Sequence, residues 1–311
     1  MQDNLAFIFP GQGSQTIGML SDFSENGTVR DVFKRASEAL GYDVWALIQE
    51  GPAEKLNQTN YTQPALLTAS VAMWELWKES SPIMPSVIAG HSLGEYSALV
   101  CSGVLSLEDA VVLVEKRGQL MQASVPEGVG AMAAVIGLAD NDIVGACEKG
   151  AEDQVVSAVN FNSPGQVVIA GHKEAVARAG ELCKEAGAKR VLPLPVSVPS
   201  HCALMKDAAD KLANELASIT FSAPEIPVIN NVDVAVESDA ELIKQALIKQ
   251  LYSPVRWTES VQKMTGTGVE VALEIGPGKV LQGLLKRIDK ALVSVSINDE
   301  ASLVKALETV K

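Results

Sequence analysis

The stretch "VIAGHSLGEYSAL", Val87–Leu99, sets a serine between two glycines, after an apolar run and before a helix-like one. A G-x-S-x-G pattern alone is weak, since average Gly and Ser usage gives one by chance on the order of one time in ten in a chain this long. Its setting is more specific. "PSVIAG" reads as a strand and "EYSALVCSGVL" as a helix with Glu95 in its first turn. Ser92 then falls at the apex of a sharp strand–turn–helix, with glycines where side chains would collide. The amides of a helix N-terminus favour negative charge developing there. The plainer reading is a glycine-flanked βα turn without chemistry.

Outward from this turn, short apolar runs alternate with helix-period segments, as in an α/β chain with parallel strands. Strands are expected at Leu5–Phe9, Val87–Ala89, Ile226–Asn230 and Val269–Ile275, and helices at Ala65–Lys78, Leu107–Ser124, Ala203–Ala217 and Ala240–Leu251. Between about Gly128 and Val196 the rhythm changes. "GAMAAVIGL", "QVVSAVNF", "GQVVIAG" and "KRVLPLPV" read as strands, "DNDIVGACEKG" and "KEAVARAGELCKEAG" as helices. That βαββαβ order matches the ferredoxin-like unit. The expected fold is therefore α/β. A large α/β-hydrolase-like domain with a mostly parallel central sheet, residues 1–127 and 197–311, carries an inserted ferredoxin-like domain, residues 128–196, with a cleft between them.

Bulk properties narrow the function. The 311 residues are 47% hydrophobic and 20% charged, with a formal net charge of −13. That charge argues against nucleic acid, whose phosphates need an excess of Lys and Arg. The N-terminus has no basic region ahead of its short apolar run, so no secretory signal is expected. No apolar stretch reaches the eighteen residues of a membrane span. Cys101, Cys147, Cys183 and Cys202 form no CxxC pair and lack metal-ligand spacing. Reduced, buried thiols fit a cytoplasmic setting. Without a heptad or edge-strand signal, a monomer is the default expectation.

A serine hydroxyl needs a base, and the chain has three histidines. His91 adjoins Ser92 and diverges from it on the turn. His172 lies in "IAGHKEAV", in a surface-like loop of the inserted domain. His201, in "PVSVPSHCALM", returns to the large domain and is the candidate. Ser200 could cap a helix there, placing His201 in its first turn, where the helix N-terminus would keep the ring neutral. No carboxylate announces itself as a third member; Asp207, Asp210 and Asp233 read more simply as helix-face or turn residues. A lipase or esterase fits poorly, because the HGGG-type oxyanion motif is missing and no histidine follows His201.

Two further features bear on the chemistry. "FPGQGSQ", Phe9–Gln15, is no dinucleotide fingerprint, since Thr16 stands where the third glycine belongs. The amides of Gln12 and Leu93 could instead form an oxyanion hole, each donor contributing about 3–4 kcal/mol; a mere tight turn is the alternative. In "SLEDAVVLVEKRGQLMQ", Ser106 and Asp109 resemble a capping box. Arg117 falls on the apolar stripe with Val114 and Met121, while Lys116 points away. A buried arginine needs an anion: an internal carboxylate, or a substrate carboxylate gripped in bidentate fashion.

With these residues assembled, the chain resembles the bacterial malonyl-CoA:acyl carrier protein transacylases, stand-alone enzymes of dissociated fatty-acid synthesis. The resemblance runs nearly end to end through "FPGQGSQTIGM", "TQPALLTASVA", "GHSLGEYSALV", "RGQLMQ", "VNFNSPGQVVIAG", "PVSVPSHCALM", "QLYSPVRW" and "EIGPGKVL". It implies that Ser92 is malonylated, that His201 is the base, oriented by a backbone carbonyl at Gln250, and that Arg117 holds the malonyl carboxylate. It also implies that Gln12 and Leu93 bind the oxyanion and that Gln63, His91, Met121, Asn160 and Asn162 line the acyl pocket. Many relatives carry a larger residue where Ser200 stands. The implied substrate is malonyl-CoA, the released product coenzyme A and the partner holo acyl carrier protein, with no permanently bound cofactor and no metal. Both partners are anionic, so Lys189–Arg190 and Lys286–Arg287 are candidates for a basic rim; ordinary solvated surface is the alternative. A thioester hydrolase, a transferase for another acyl group, or a silent carrier-protein docking module remain open.

Overall fold

The computed structural model describes residues 2–196 and 198–311, so the domain boundary expected at Ser197 lies outside the described residues. Five parallel strands form one sheet: β1 (Gln2–Phe9), β2 (Pro85–Gly90), β7 (Val228–Ile229), β8 (Val271–Ile275) and β9 (Val293–Ile297), in the order β7-β2-β1-β8-β9. A separate antiparallel sheet holds β3 (Gly130–Ile136), β4 (Val156–Ser163), β5 (Gln166–His172) and β6 (Arg190–Pro193), in the order β4-β5-β3-β6. No helix among the described residues is long and apolar enough to cross a membrane.

The parallel sheet is buried on both faces, as βα crossovers require. Alternate residues of β1 serve opposite cores. Leu5, Phe7 and Phe9 face the Thr59–Ser80 helix, where Phe7 meets Trp77 edge-to-face at 5.2 Å. Ala6 and Ile8 face Trp257, Val261 and Leu281. The small sheet divides likewise. Ala133, Val135, Val167 and Ile169 pack on the helices Asp140–Ala151 and Lys173–Glu185. Met132, Ala134, Val168 and Ala170 face Cys202 and Leu204, the neighbours of His201. Val255 also bridges to β4 around Asn160, accepting the Phe161 amide at 3.0 Å and donating its own amide to the Val159 carbonyl at 2.8 Å.

Several expected boundaries shift, each for a local reason. The helix expected from Ala65 begins at Thr59 and includes Pro64; the Thr62 hydroxyl ties its first turn to the carbonyls of Leu56 and Gln58. The strand expected over Ile226–Asn230 shrinks to Val228–Ile229, since Pro227 has no N–H to donate and Asn230 already turns away. The strand expected from Val269 begins at Val271, after a turn at Gly268 with φ 98°. The Leu107–Ser124 helix has the bounds read from its capping serine: Ser106 Oγ accepts the Asp109 amide at 3.0 Å. The helix expected over Ala203–Ala217 splits into one 3-10 turn, Ala203–Met205, and a helix, Lys206–Ala217.

Within β8, the buried Glu274 carboxylate accepts the amides of Leu281 and Gln282 at 3.0 and 2.8 Å and so caps the Val280–Ile288 helix from the sheet. Loss of a side-chain cap costs about 0.5–2 kcal/mol. Glu274→Ala is therefore expected to lower stability by about that amount in urea titration at pH 7, with little change of slope; an unchanged midpoint would refute the capping role.

Candidate active site

Three neighbouring strands, β7, β2 and β1, end on one side of the parallel sheet and feed their next residues into one place: Asn231, Ser92 and Gln12. Ligands of open α/β sheets bind beyond such carboxyl ends. A pocket of about 300 Å³ opens there, walled on the other side by Met132, Asn160 and Leu194 of the small-sheet segment.

Ser92 sits at the turn from β2 into the Leu93–Cys101 helix with φ 52° and ψ −106°, a conformation costing a non-glycine residue about 1–3 kcal/mol. The flanking glycines make the turn possible. A Cβ on Gly90 would lie 1.8 Å from the Gly94 carbonyl carbon, and one on Gly94 would lie 2.1 Å from the Phe9 carbonyl oxygen. The strained backbone is held on both sides. Its amide donates to Asn231 Oδ1 at 2.7 Å, and its carbonyl accepts Gln250 Nε2 at 3.1 Å.

Ser92 Oγ lies 2.8 Å from His201 Nε2, across 109 residues of chain. The other ring nitrogen, Nδ1, lies 2.7 Å from the Gln250 backbone carbonyl, which can only accept; Nδ1 therefore carries the proton and Nε2 is left as a base. The helical cap expected at Ser200 is not formed: the 3-10 turn has Cys202 at its N-cap position, and the helix proper starts at Lys206. His201 has φ 64°, which a helical turn would not allow, and donates its amide to the Leu251 carbonyl. The ring's neutrality has another source. Burial, then the Arg117 charge, draws its pKa down to about 3.

Arg117 is 2% exposed. Its Nη1 donates to Gln63 Oε1 at 2.6 Å and its Nη2 to Gln250 Oε1 at 3.0 Å, and Nη2 stands 3.4 Å from Ser92 Oγ. The Tyr96 ring lies beneath it at 5.3 Å, and Nε has no partner. Its partners are thus neutral amides; the internal carboxylate considered from the sequence does not touch it. Burial lowers its pKa, opposed by Tyr96 and Glu95.

The remaining expected residues divide by position. Gln12, Leu93, His91, Met121 and Asn160 line the pocket. Gln63 and Asn162 stand behind the wall: Gln63 holds Arg117, and Asn162 Oδ1 lies 2.7 Å from His91 Nε2. Thr59 links Gln12 to Gln63, donating to Gln12 Oε1 and accepting from Gln63 Nε2, both at 2.9 Å. His172 ends β5 rather than lying in a loop, and its Nδ1 accepts the Val155 amide at 3.0 Å, away from the pocket. All four cysteines are free and buried. No group of three or more His, Cys, Asp or Glu side chains suited to a metal occurs among the described residues.

Sequence reasoning missed Asn231 and the functional placement of Glu95. Glu95 is buried, and its Oε2 accepts Gln250 Nε2 at 2.8 Å and the Asn231 amide at 2.9 Å. Burial raises its pKa to about 7 against these hydrogen bonds and the Arg117 charge. An acidic residue in a helix's first turn is ordinary, and nothing near Asn231 in the sequence marks it.

Residues 6–306 match the acyl transferase domain family. A protein from Salmonella typhimurium named malonyl CoA-acyl carrier protein transacylase is 64% identical over 303 residues, 97% of this chain and 98% of that one. The crystal structure of an acyl carrier protein S-malonyltransferase from Vibrio cholerae superposes with a TM-score of 0.96 at 63% identity, covering 99% and 100% of the two chains. The malonyl-transacylase in a solved complex with its holo type II PKS acyl-carrier protein is similar too, at a TM-score of 0.97, 60% identity and coverage of 98% and 99%.

A base with its pKa near 3 stays neutral through the physiological range. Nitrogen-detected NMR of the histidine rings is expected to show no titration of His201 between pH 8 and pH 5. A midpoint near 6.5, the ordinary value, would contradict the burial argument.

Proposed function

This chain belongs to the acyl transferase family, among the malonyl CoA-acyl carrier protein transacylases, and on that premise we propose that it moves a malonyl group from malonyl-CoA to the phosphopantetheine thiol of holo acyl carrier protein, in fatty-acid synthesis, through a malonyl-Ser92 intermediate. The observation carrying this reading is one hydroxyl serving two neighbours: Ser92 Oγ is 2.8 Å from a neutral imidazole and 3.4 Å from a buried guanidinium. The first makes a nucleophile; the second marks where a free carboxylate goes.

Ser92 Oγ attacks the thioester carbon as His201 Nε2 takes its proton. The oxyanion is received by the amides of Gln12 and Leu93, both at the pocket wall. The tetrahedral intermediate collapses, the carbon–sulfur bond breaks, and the imidazolium returns its proton to the leaving coenzyme A thiolate. The carrier protein's thiol then loses its proton to His201, attacks the malonyl ester and releases Ser92 with that proton. Every proton and electron pair comes from these residues and the two thiol partners, so the scheme needs no bound cofactor or metal.

Arg117 has only neutral partners, the amide oxygens of Gln63 and Gln250 and the Ser92 hydroxyl, so a malonyl carboxylate adds the ion pair it lacks. Acetyl-CoA offers no such group, and a site that leaves its polar groups unmatched rejects the analogue by several orders of magnitude.

The basic pairs fit a rim for phosphate groups. On β3, Ile136 stands opposite both Arg190 and Gln166, and Arg287 donates to Gln166 Oε1 at 2.6 Å. The Lys189 stem lies against Gly137. Both pairs thus gather, exposed, at the Ile136 end of the small sheet, beside β3, whose Met132 lines the pocket. In this reading the large unit, 1–127 and 197–311, is α/β-hydrolase-like, as a nucleophile at the end of a central parallel strand supports, and 128–196 is ferredoxin-like, as the order β4-β5-β3-β6 supports. All catalytic groups come from one chain, which suits a monomer, and four free buried thiols suit the cytoplasm.

Labelled malonyl-CoA followed by holo carrier protein tests the reading. A hydroxylamine-labile label on Ser92 that passes to the carrier protein is expected; release as free malonate would mean a hydrolase, and no label a docking module. In the same series, Arg117→Ala is expected to lose malonyl transfer at least a hundredfold and to gain acetyl transfer relative to it. Equal loss of both would overturn the carboxylate role.

A further inference from the structure

Glu95 lies one helical turn beyond Ser92 and takes no part in the scheme above. It is 2% exposed, on the inner side of the Leu93–Cys101 helix. A carboxylate is kept there only by what it holds. One of its oxygens, Oε2, accepts two donors: the Gln250 side-chain amide at 2.8 Å and the Asn231 backbone amide at 2.9 Å. Those residues hold the two sides of Ser92. Asn231 Oδ1 accepts the Ser92 amide at 2.7 Å, and Gln250 Nε2, the atom already bonded to Glu95, donates to the Ser92 carbonyl at 3.1 Å. Asn231 Nδ2 is fixed in turn on the Gly90 carbonyl at 2.7 Å, which leaves Oδ1 toward Ser92.

An amide side chain has two faces, and what orients it is the polarity of its neighbours. With Glu95 in place, Gln250 must turn Nε2 toward the carboxylate and Ser92 and Oε1 toward Arg117. Resting on the reading of Ser92 as the acylated nucleophile, we propose that Glu95 is a positioning residue, whose single carboxylate oxygen orients Gln250 and Asn231 so that they clamp the strained Ser92 backbone at φ 52° and aim its hydroxyl at His201. Without that acceptor Gln250 Nε2 loses its shortest bond and keeps only the longer ones to the Ser92 carbonyl and Asn231 Oδ1, and the Asn231 backbone amide is left buried without a partner. The turn can then relax toward ordinary backbone angles, and Oγ leaves the line to Nε2. A displacement of about 1 Å at a reacting group costs on the order of a hundredfold in rate. The substrate-binding contact at Arg117 retains its Gln63 bond, so affinity for malonyl-CoA is spared.

The test compares Glu95→Ala, which removes the acceptor, with Glu95→Gln, whose amide oxygen has the same reach. Single-turnover malonylation of Ser92 and steady-state kcat and KM are measured per folded molecule, with melting temperatures for each variant. Glu95→Ala is expected to lose kcat at least thirtyfold with KM for malonyl-CoA within threefold, and Glu95→Gln to recover to within fivefold of wild type. Wild-type kcat in the alanine variant, or a glutamine variant as defective as alanine, would overturn the proposal. Should the alanine variant not fold, Glu95→Asp carries the same comparison, its carboxylate falling short of both donors. Wild-type labelling is run alongside: no label on wild type overturns the transferase reading itself, whereas normal wild-type labelling with an unaffected alanine or aspartate variant overturns only the role of Glu95.

Discussion

A guanidinium buried to 2% exposure and met by two neutral amide oxygens is the constraint around which this site is organised. Removing a cation from water costs several kcal/mol, and amides repay part of it. The fold carries that cost at the bottom of an open pocket, beside a strained serine and a histidine whose burial disfavours the imidazolium. Each of these three states is unfavourable alone. In the proposed reading a malonyl thioester would fill these deficits, with a carboxylate for the cation and an acyl carbon for the hydroxyl.

The architecture explains how such distant residues meet. Adjacent parallel strands deliver Gln12, Ser92 and Asn231 side by side, and the helices Leu107–Ser124 and Ala240–Gln250 bring Arg117 and Gln250 beneath them. The small sheet supplies the opposite wall, through Met132 and Asn160, and its inner face packs on the residues beside His201. His201 is therefore placed by contacts from both sides of the pocket. Its left-handed backbone, held on Leu251 and Gln250, reflects that position more than any local preference.

Much of this was legible in the chain, wherever a local rule coincided with the tertiary outcome. The capping serine and apolar stripe of Leu107–Ser124 gave that helix its bounds and put Arg117 on the buried side. The alternation of apolar runs and turn signals gave the βαββαβ order of the second sheet. Ser92 and His201 were paired by elimination among three histidines. What stayed hidden depends on long-range contact. Asn231 meets Ser92 across 139 residues and Glu95 across 136, and no local pattern encodes either bond. The cap expected at Ser200 is absent because His201 takes a left-handed backbone, φ 64°, where a helix would otherwise begin.

A crystal structure of the protein reacted with malonyl-CoA tests the central claim most directly. The account predicts malonate esterified to Ser92, with its free carboxylate receiving two contacts of about 2.7–2.9 Å from the Arg117 guanidinium. A malonyl ester whose carboxylate points to solvent, with Arg117 bonded only to Gln63 and Gln250 as before, would contradict it.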